Sequence, residues 1–174
     1  WFEVTRFLGG GYGVRRSAFE RAGGYDDQLF FGGEERDIAW RMLKHGYRLR
    51  LYRDLTVIHT RTATSKVDWS DRRYYYLVRN TLYINHKFGA GPRGFARGAA
   101  SFALRGLRNG LGPAAIRGIA AGLVMSARFS CQPQAHAAYQ LSPELQRYIA
   151  ETDHKVAEST LTKLRRQLTP LPRV

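Results

Sequence analysis

The stretch from Gly9 to Asp37 constrains the fold most, because glycines divide it into short elements. The segment from Phe7 to Val14, which overlaps the start of this stretch, contains four glycines, among them Gly10 and Gly11. A strand with so few side chains does not fill a core, and its backbone is open to close approach by a neighbour. That neighbour is either a ligand or a tightly packed part of the same protein.

Two helices are predicted within and just beyond this stretch. The first spans Ser17 to Ala22, where Ser17 and Glu20 have the spacing of a capping box and two glycines follow. The second spans Glu34 to His45, because its apolar residues recur on one helical face and Gly46 ends the pattern.

Six further elements are expected downstream. Alternation of apolar and polar residues predicts a strand over Tyr47 to Tyr52, and a second short strand is predicted at Val57 to His59. The remaining expectations are helical: Trp69 to Phe88, two helices within residues 89 to 128 separated by glycine and proline, and a helix that starts at Ser142-Pro143-Glu144 and continues to about Leu168.

Composition supports a globular chain. Hydrophobic residues make up 44% and aromatic residues 13% of the 174 residues, which is enough for one buried core. The single cysteine, Cys131, excludes an internal disulfide and a zinc site built from cysteines, and fits a reducing compartment such as the cytoplasm. Because the chain starts at Trp1 without a signal-peptide pattern, we expect it to be a fragment of a longer protein.

The residues that follow the glycine-rich segment form a specific order of motifs. Gly-Gly-Tyr-Asp-Asp is followed by an aromatic turn, Gly-Glu-Glu-Arg-Asp, an amphipathic helix that ends in glycine, and a strand that leads to His59. Over about residues 5 to 88, this order resembles the second half of the GT-A family 2 glycosyltransferases and the related galactosyltransferase-like C-terminal domain. The resemblance implies an α/β fold, the C-terminal portion of a GT-A-like Rossmann-related domain with a helical C-terminal extension.

The resemblance also implies a division and an activity. Residues 1–88 would be the acceptor-side half of the catalytic domain, and residues 89–174 the helical extension. The expected enzyme is an inverting glycosyltransferase that moves a sugar from a nucleotide-sugar donor to a hydroxyl acceptor. The acceptor is expected to be a cell-envelope glycan, a polysaccharide or a lipid-linked intermediate, and the fragment alone is expected to be inactive.

Glu35 occupies the position of the general base in this resemblance, flanked by Glu34 and Asp37 as substrate-binding carboxylates. The family has Asp at the base position, so Glu34 remains an alternative that shifts the register by one residue. A hydroxyl that attacks an anomeric carbon must lose its proton, and a carboxylate within hydrogen-bond reach accepts it. Carboxylates in a first helical turn also serve simply as partners of the helix dipole.

Other site residues follow from the same resemblance. His59 would ligate a divalent metal, Mn or Mg, or else bond to backbone; Gly10 and Gly11 would face the sugar. Arg72 and Arg79 lie in a run similar to the family's R-x-x-Y-Y-x-x-R-N segment and would reach the donor diphosphate, or else form a solvated helix face. No D-x-D occurs in the chain, so a preceding half is expected to hold most of the donor and the metal.

The charge distribution suggests a second surface. The net charge is +14, and ten of the 28 Lys and Arg residues lie between Asp71 and Glu144, where no acidic residue occurs. These residues would be helix rims packed on the domain, a surface for an anionic membrane, or a nucleic-acid surface. Nucleic acid is not favoured, because no recognised binding motif is present. The alternative to an enzyme is a non-catalytic basic module for membrane or nucleic acid, and the expected location is cytoplasmic, peripheral on the inner face of the cell membrane.

Overall fold

A computed structural model of the protein describes residues 1–58, 69–132 and 135–155. The elements in chain order are β1 (Phe2–Val4), α1 (Arg16–Arg21), α2 (Glu34–Lys44), β2 (Leu49–Leu51), α3 (Asp71–Lys87), α4 (Pro92–Arg108), α5 (Gly112–Ser130), α6 (Ala135–Tyr139) and α7 (Pro143–Lys155). They divide between two compact units, of which the first contains described residues 1–58 and 141–155 and the second contains residues 69–132 and 135–140.

The first unit is built on a small sheet and two helices. Strand β1 pairs antiparallel with β2, so that Phe2 lies opposite Leu51 and Val4 lies opposite Leu49. Helices α1 and α2 bury the apolar face that the sequence predicted. Their core residues are Ala22, Ile38 and Met42, with Phe7, Phe19, Tyr47 and Leu49 packed against them.

Helix α7 belongs to the first unit, because its polar side chains bond to β1 and the residue after it. Thr5, which is 1% exposed, donates its hydroxyl to Asp153 at 2.5 Å. Tyr148 donates to Glu3 at 2.9 Å. The division of the chain therefore differs from the predicted boundary between residues 88 and 89: α7 lies with residues 1–58, and α3 lies with α4 and α5.

The second unit is a bundle in which α3 packs against α4 and α5. Ser70 caps α3 by accepting a hydrogen bond from the backbone N–H of Arg73. The buried residues that join the three helices are Tyr74, Val78, Leu82, Leu111, Ala114 and Ala115. Tyr74 also donates its hydroxyl to the carbonyl of Phe102 at 2.9 Å. The two predicted helices of residues 89–128 are confirmed, with their break at the turn before Gly112.

Glycines let α5 approach α3 closely. A Cβ added at Gly118 would lie 2.8 Å from the Cβ of Val78 and 2.9 Å from the carbonyl oxygen of Tyr75. One turn later, a Cβ at Gly122 would lie 3.1 Å from the carbonyl oxygen of Arg79. Both distances to backbone are shorter than ordinary van der Waals contact, so these positions have no room for a larger side chain.

Gly118→Leu is expected to lower the free energy of unfolding of the second unit by about 2 to 3 kcal/mol, because the added side chain must displace backbone in a packed contact. Ala120→Leu is the control, since Ala120 is exposed on the same helix and its change should alter stability by less than about 0.5 kcal/mol. Denaturant unfolding followed by far-ultraviolet circular dichroism measures both variants. Equal stabilities for the two would contradict the close approach of α5 to α3.

Three sequence predictions of local structure are wrong. Helix α1 begins at Arg16 after the N-cap Arg15, without a side-chain cap bond, so Ser17 lies inside the first turn instead of capping it. The segment Phe7 to Val14 is not a strand, because residues 9 and 10 form a turn. Residues 57 and 58 are not in a strand either, and His59 lies outside the described residues.

Several predicted elements are confirmed. Helices α2, α3 and α7 begin within two residues of the predicted starts, and β2 lies inside its predicted range. The sheet of the described residues has two strands, and the GT-A-like sandwich stays a prediction. Within the described ranges, no helix combines the length and apolar character that crossing a membrane requires.

Candidate functional site

The first turn of α2 carries adjacent carboxylates because two glycines turn the chain into it. Gly32 and Gly33 have φ values of 78° and 96°, in the left-handed region that favours glycine. Gly33 is the N-cap, so Glu34 and Glu35 occupy the first two helical positions. Backbone N–H groups are unpaired at a helix start, and the helix dipole there favours negative charge.

The Glu35 carboxylate lies against the backbone of Gly9. A Cβ added at Gly9 would overlap Oε1 of Glu35, so a larger residue at this position would require the Glu35 carboxylate to move away. Gly9 belongs to the exposed turn of the glycine-rich segment, whose Gly11 N–H approaches the Leu8 carbonyl at 3.4 Å. The first turn of α2 and the glycine-rich turn thus form two sides of one site.

Two tyrosine hydroxyls bond to each other beside these carboxylates. Tyr12, from the glycine-rich segment, and Tyr25, from the turn after α1, share a short hydrogen bond between their hydroxyl oxygens. Burial raises the pKa of Tyr25 above its usual range, and the bond to Tyr12 and the negative charges of Glu35 and Glu34 raise it further. The ring of Tyr25 packs edge-on against that of Phe19, with 5.2 Å between the ring centroids. The ring of Tyr12 is tilted by 34° to that of Phe7, with 4.5 Å between the centroids.

One oxygen of the Glu34 carboxylate is shielded from water. Its Oε2 atom is buried and has no hydrogen-bond partner. Burial raises the pKa of Glu34, and the charge of Glu35 raises it further, while hydrogen bonds from backbone N–H groups act in the opposite direction.

The raised pKa of Glu34 predicts a pH-dependent stability. A folded-state pKa above the unfolded value means that the folded protein binds the proton more tightly, so stability falls as pH rises through the folded pKa. Glu34→Gln removes that loss, and we expect its thermal midpoint to exceed the wild-type value near pH 8 by a difference that shrinks towards about pH 5. Thermal melts across this range, with Glu20→Gln at an exposed position as control, measure the effect. A Glu34→Gln deficit that grows with pH would contradict it.

Asp37 is buried in an ion pair within α2. Its Oδ2 accepts hydrogen bonds from Nε of Arg41 at 2.9 Å and from Nη2 at 2.5 Å. Nη1 of the same guanidinium donates to the carbonyl of Ala22 at the end of α1. Asp37 is 0% exposed and Arg41 is 6% exposed. The carboxylate that was predicted to bind substrate thus holds the guanidinium that joins α2 to α1, and its substrate role stays a prediction.

Arg36 lies between Glu35 and Asp37, and its guanidinium is directed towards the protein interior. Burial lowers its pKa to about 10, and the nearby charge of Arg6 lowers it further, against the raising effect of Asp37. Its guanidinium lies over the ring of Trp40, 5.4 Å from the centroid. Arg36 therefore packs along α2 against the ring of Trp40.

The structure places the remaining predicted site residues in different surroundings. Gly10 is exposed in the turn, and a Cβ at Gly11 would meet the side chain of Val57, as in the close-packing alternative. Arg72 and Arg79 lie on α3 in the second unit. The Arg79 guanidinium lies over the ring of Tyr76 at 4.7 Å and donates to Asn80 at 2.8 Å.

The chain is similar to a probable glycosyltransferase, YdaM of Bacillus subtilis (strain 168), with 28% identity over 88 residues. The match covers 51% of this chain and 20% of YdaM. The chain therefore spans about a fifth of the length of this curated relative. No protein-family model and no solved structure matches the chain.

The described residues do not themselves provide a metal centre. Across residues 1–58, 69–132 and 135–155, no three His, Cys, Asp or Glu side chains are placed so that they could hold a metal ion. His59 lies outside these ranges. The Mn or Mg implied by the family resemblance stays a prediction, with a preceding nucleotide-binding half as its expected holder.

Sequence reasoning missed the tyrosine pair and Gly9. Tyr12 interrupts the glycine run and Tyr25 follows Gly24 directly, so both were visible as aromatic residues within the conspicuous motifs. Their meeting requires the glycine-rich segment to fold back towards the turn after α1, which no local pattern reports. Gly9 is the glycine that contacts Glu35, whereas the sequence alone had indicated Gly10 and Gly11.

Proposed function

We propose that this chain is the acceptor-side half of an inverting, nucleotide-sugar-dependent glycosyltransferase, with Glu35 as the general base. The observation that carries the proposal is the position of the Glu35 carboxylate, in the first turn of α2 and against the exposed Gly9 turn. A small acceptor hydroxyl reaches a carboxylate best where the opposing surface is bare backbone. Similarity to a probable glycosyltransferase supports the same activity.

In the proposed reaction, the carboxylate of Glu35 is the group that takes up the proton. The acceptor O–H gives its proton to the carboxylate of Glu35 as its oxygen forms a bond to the anomeric carbon of the donor sugar. The bond between that carbon and the diphosphate oxygen breaks on the opposite face, and the nucleoside diphosphate leaves with the electron pair. Configuration at the anomeric carbon is inverted by this in-line displacement.

The two glutamates are suited to different tasks. Oε2 of Glu34 is buried without a partner, which fits an oxygen enclosed in the first turn better than one that meets an incoming hydroxyl. Glu34 is therefore proposed to hold the acceptor sugar through its other oxygen or to order the helix start. The hydroxyls of Tyr12 and Tyr25 lie beside the pair and are proposed to bind hydroxyl groups of the acceptor.

The site for the nucleotide-sugar donor would lie mainly outside this chain. A nucleotide-binding half with the divalent metal would supply it, and the acceptor would be a cell-envelope glycan, a polysaccharide or a lipid-linked sugar. The complete enzyme would then work in the cytoplasm, at the inner face of the cell membrane.

Isothermal titration of the 174-residue chain with UDP-glucose, GDP-mannose and dTDP-rhamnose, in the presence of Mn, is expected to show no appreciable binding. The physical reason is that the described residues include no metal site and the sequence has no D-x-D. The complete protein, tested with the same donors, is expected to bind one of them. Tight donor binding by the chain alone would contradict the half-domain proposal.

A further inference from the structure

The outer face of α4 combines leucines with arginines. Successive residues of a helix are about 100° apart, and on this basis leucines and arginines share the solvent-exposed side of α4, which we call its exposed arc. Leu104 is 54% exposed and Leu107 is 68% exposed, although both are large apolar side chains. The other exposed residues of this arc are Arg93, Ala96, Arg97, Ala100, Ser101 and Arg108. Phe95 and Phe102 are on the opposite side, packed against the core of the second unit.

Helix α5 repeats the arrangement. Its exposed arc has Ile116, Leu123 and Val124, which are 65%, 56% and 50% exposed. Ala120 and Ala127 complete the apolar centre of the arc, and Arg117 and Arg128 border it. The short turn between Arg108 and Gly112 joins the two helices. We call the exposed arcs of α4 and α5 together the hairpin face.

The hairpin face is positively charged without internal compensation. No acidic residue occurs between Asp71 and Glu144. Arg117 is 3.8 Å from Asp71, with both side chains more than half exposed, so this contact is weak. In the described part of the chain, Arg93, Arg97, Arg108 and Arg128 form no ion pair. A partner of this face must therefore bring negative charge and an apolar environment together.

We propose that the hairpin face binds the surface of an anionic lipid bilayer. Lipid phosphates pair with the bordering arginines, and the exposed leucines, isoleucine and valine enter the boundary between headgroups and acyl chains. A nucleic acid would satisfy the arginines but leave the apolar centre in water, and the face has no aromatic side chain for base stacking. A second copy of the chain would bring arginine against arginine, which is unfavourable.

Vesicle flotation tests this proposal on the 174-residue chain. We expect the chain to float with phosphatidylcholine vesicles that contain about 30% phosphatidylglycerol, and not with phosphatidylcholine alone. Raising salt from about 0.05 M to about 0.5 M should weaken the binding, because the screening length shortens several-fold. Absence of flotation with the anionic vesicles, or equal flotation with both, would overturn the proposal.

Matched variants separate the two contributions. Leu104→Ser and Leu123→Ser should each lower the partition coefficient at least about tenfold by removing an inserted side chain. Arg97→Gln and Arg128→Gln should each lower it roughly fivefold. Leu55→Ser and Arg16→Gln change exposed residues of the first unit and should leave it within about twofold. Equal losses in the controls would overturn the assignment to the hairpin face.

The alternative partners give different results. Binding to a duplex oligonucleotide that exceeds vesicle binding and is unchanged in Leu104→Ser would assign the face to a polyanion and overturn the proposal. A dimer seen by light scattering that Leu104→Ser dissociates, together with no vesicle binding, would also overturn it. Vesicle binding that both the leucine and the arginine variants weaken supports it.

Discussion

Glu35→Gln is expected to lower the turnover of the complete enzyme by about 100- to 10,000-fold, because the amide keeps the size of the side chain and cannot accept the acceptor's proton. Donor affinity should be nearly unchanged, since the proposed donor site lies mainly outside this chain. Steady-state kinetics with a saturating donor and a varied acceptor measure the effect. A folded Glu35→Gln enzyme with near-normal turnover would contradict the assignment of the base.

Glu34→Gln is the matched comparison, because it makes the same chemical change one residue earlier. If Glu34 holds an acceptor hydroxyl, its amide variant raises the Michaelis constant for the acceptor more than it lowers turnover. If the large loss of turnover appears at Glu34 instead, the glycosyltransferase proposal stands and the base is one residue earlier. The two variants therefore separate an error of register from an error of function.

A stability control accompanies both variants. Each amide removes a negative charge from the first turn of α2, where the helix dipole favours that charge by about 0.3 to 1 kcal/mol. Thermal melts show whether a loss of activity exceeds what this small change in folding explains. Glu34→Gln is additionally expected to gain stability near neutral pH, because the pKa of Glu34 is raised by burial. Activity and stability should thus change in opposite directions at this position.

Helices were the part of the fold that sequence patterns predicted well. The boundaries of α2 and α3 agree with the patterns because glycine, serine and proline act locally, through φ and through capping of the first N–H groups. The capping box predicted for α1 is wrong, because the helix begins before Ser17. Its start lies one residue earlier, so Ser17 and Glu20 have the spacing of the motif without its geometry.

Contacts between distant segments were not predictable from local patterns. The bonds from Thr5 to Asp153 and from Tyr148 to Glu3 join residues about 150 positions apart, and they place α7 on β1. The hydrogen bond between Tyr12 and Tyr25 is another contact that depends on tertiary folding. For the candidate site, the glutamates were predicted from their motif, whereas the tyrosines and the correct glycine required the structure.

Asp37 was predicted to bind substrate, but in the structure it forms a buried ion pair with Arg41. Within G-E-E-R-D the residue looks like a third substrate carboxylate, but the i, i+4 spacing to Arg41 was also visible in the sequence. Burial decides how much this pair matters: a surface pair at that spacing contributes little, whereas Asp37 is fully buried. Sequence alone does not report that burial.

Asp37→Ala is expected to lower the free energy of unfolding of the first unit by about 3 to 5 kcal/mol, because it leaves the guanidinium of Arg41 buried without its counter-charge. The same guanidinium donates to the carbonyl of Ala22, so movement of Arg41 towards water would also break the connection between α2 and α1. Urea unfolding, with tryptophan fluorescence reporting on Trp1 and Trp40, measures the loss.

Two further variants separate a structural from a substrate-binding role. Arg48→Ala breaks an exposed ion pair of the same unit, 2.9 Å from Glu3, and should cost no more than about 1 kcal/mol. The double variant Asp37→Leu with Arg41→Met removes both buried charges and should recover much of the stability lost in Asp37→Ala. If activity recovers along with stability, Asp37 acts through packing of α2, and the position of Glu35 depends on it. If stability recovers and activity does not, Asp37 contacts the acceptor, as the family resemblance implies.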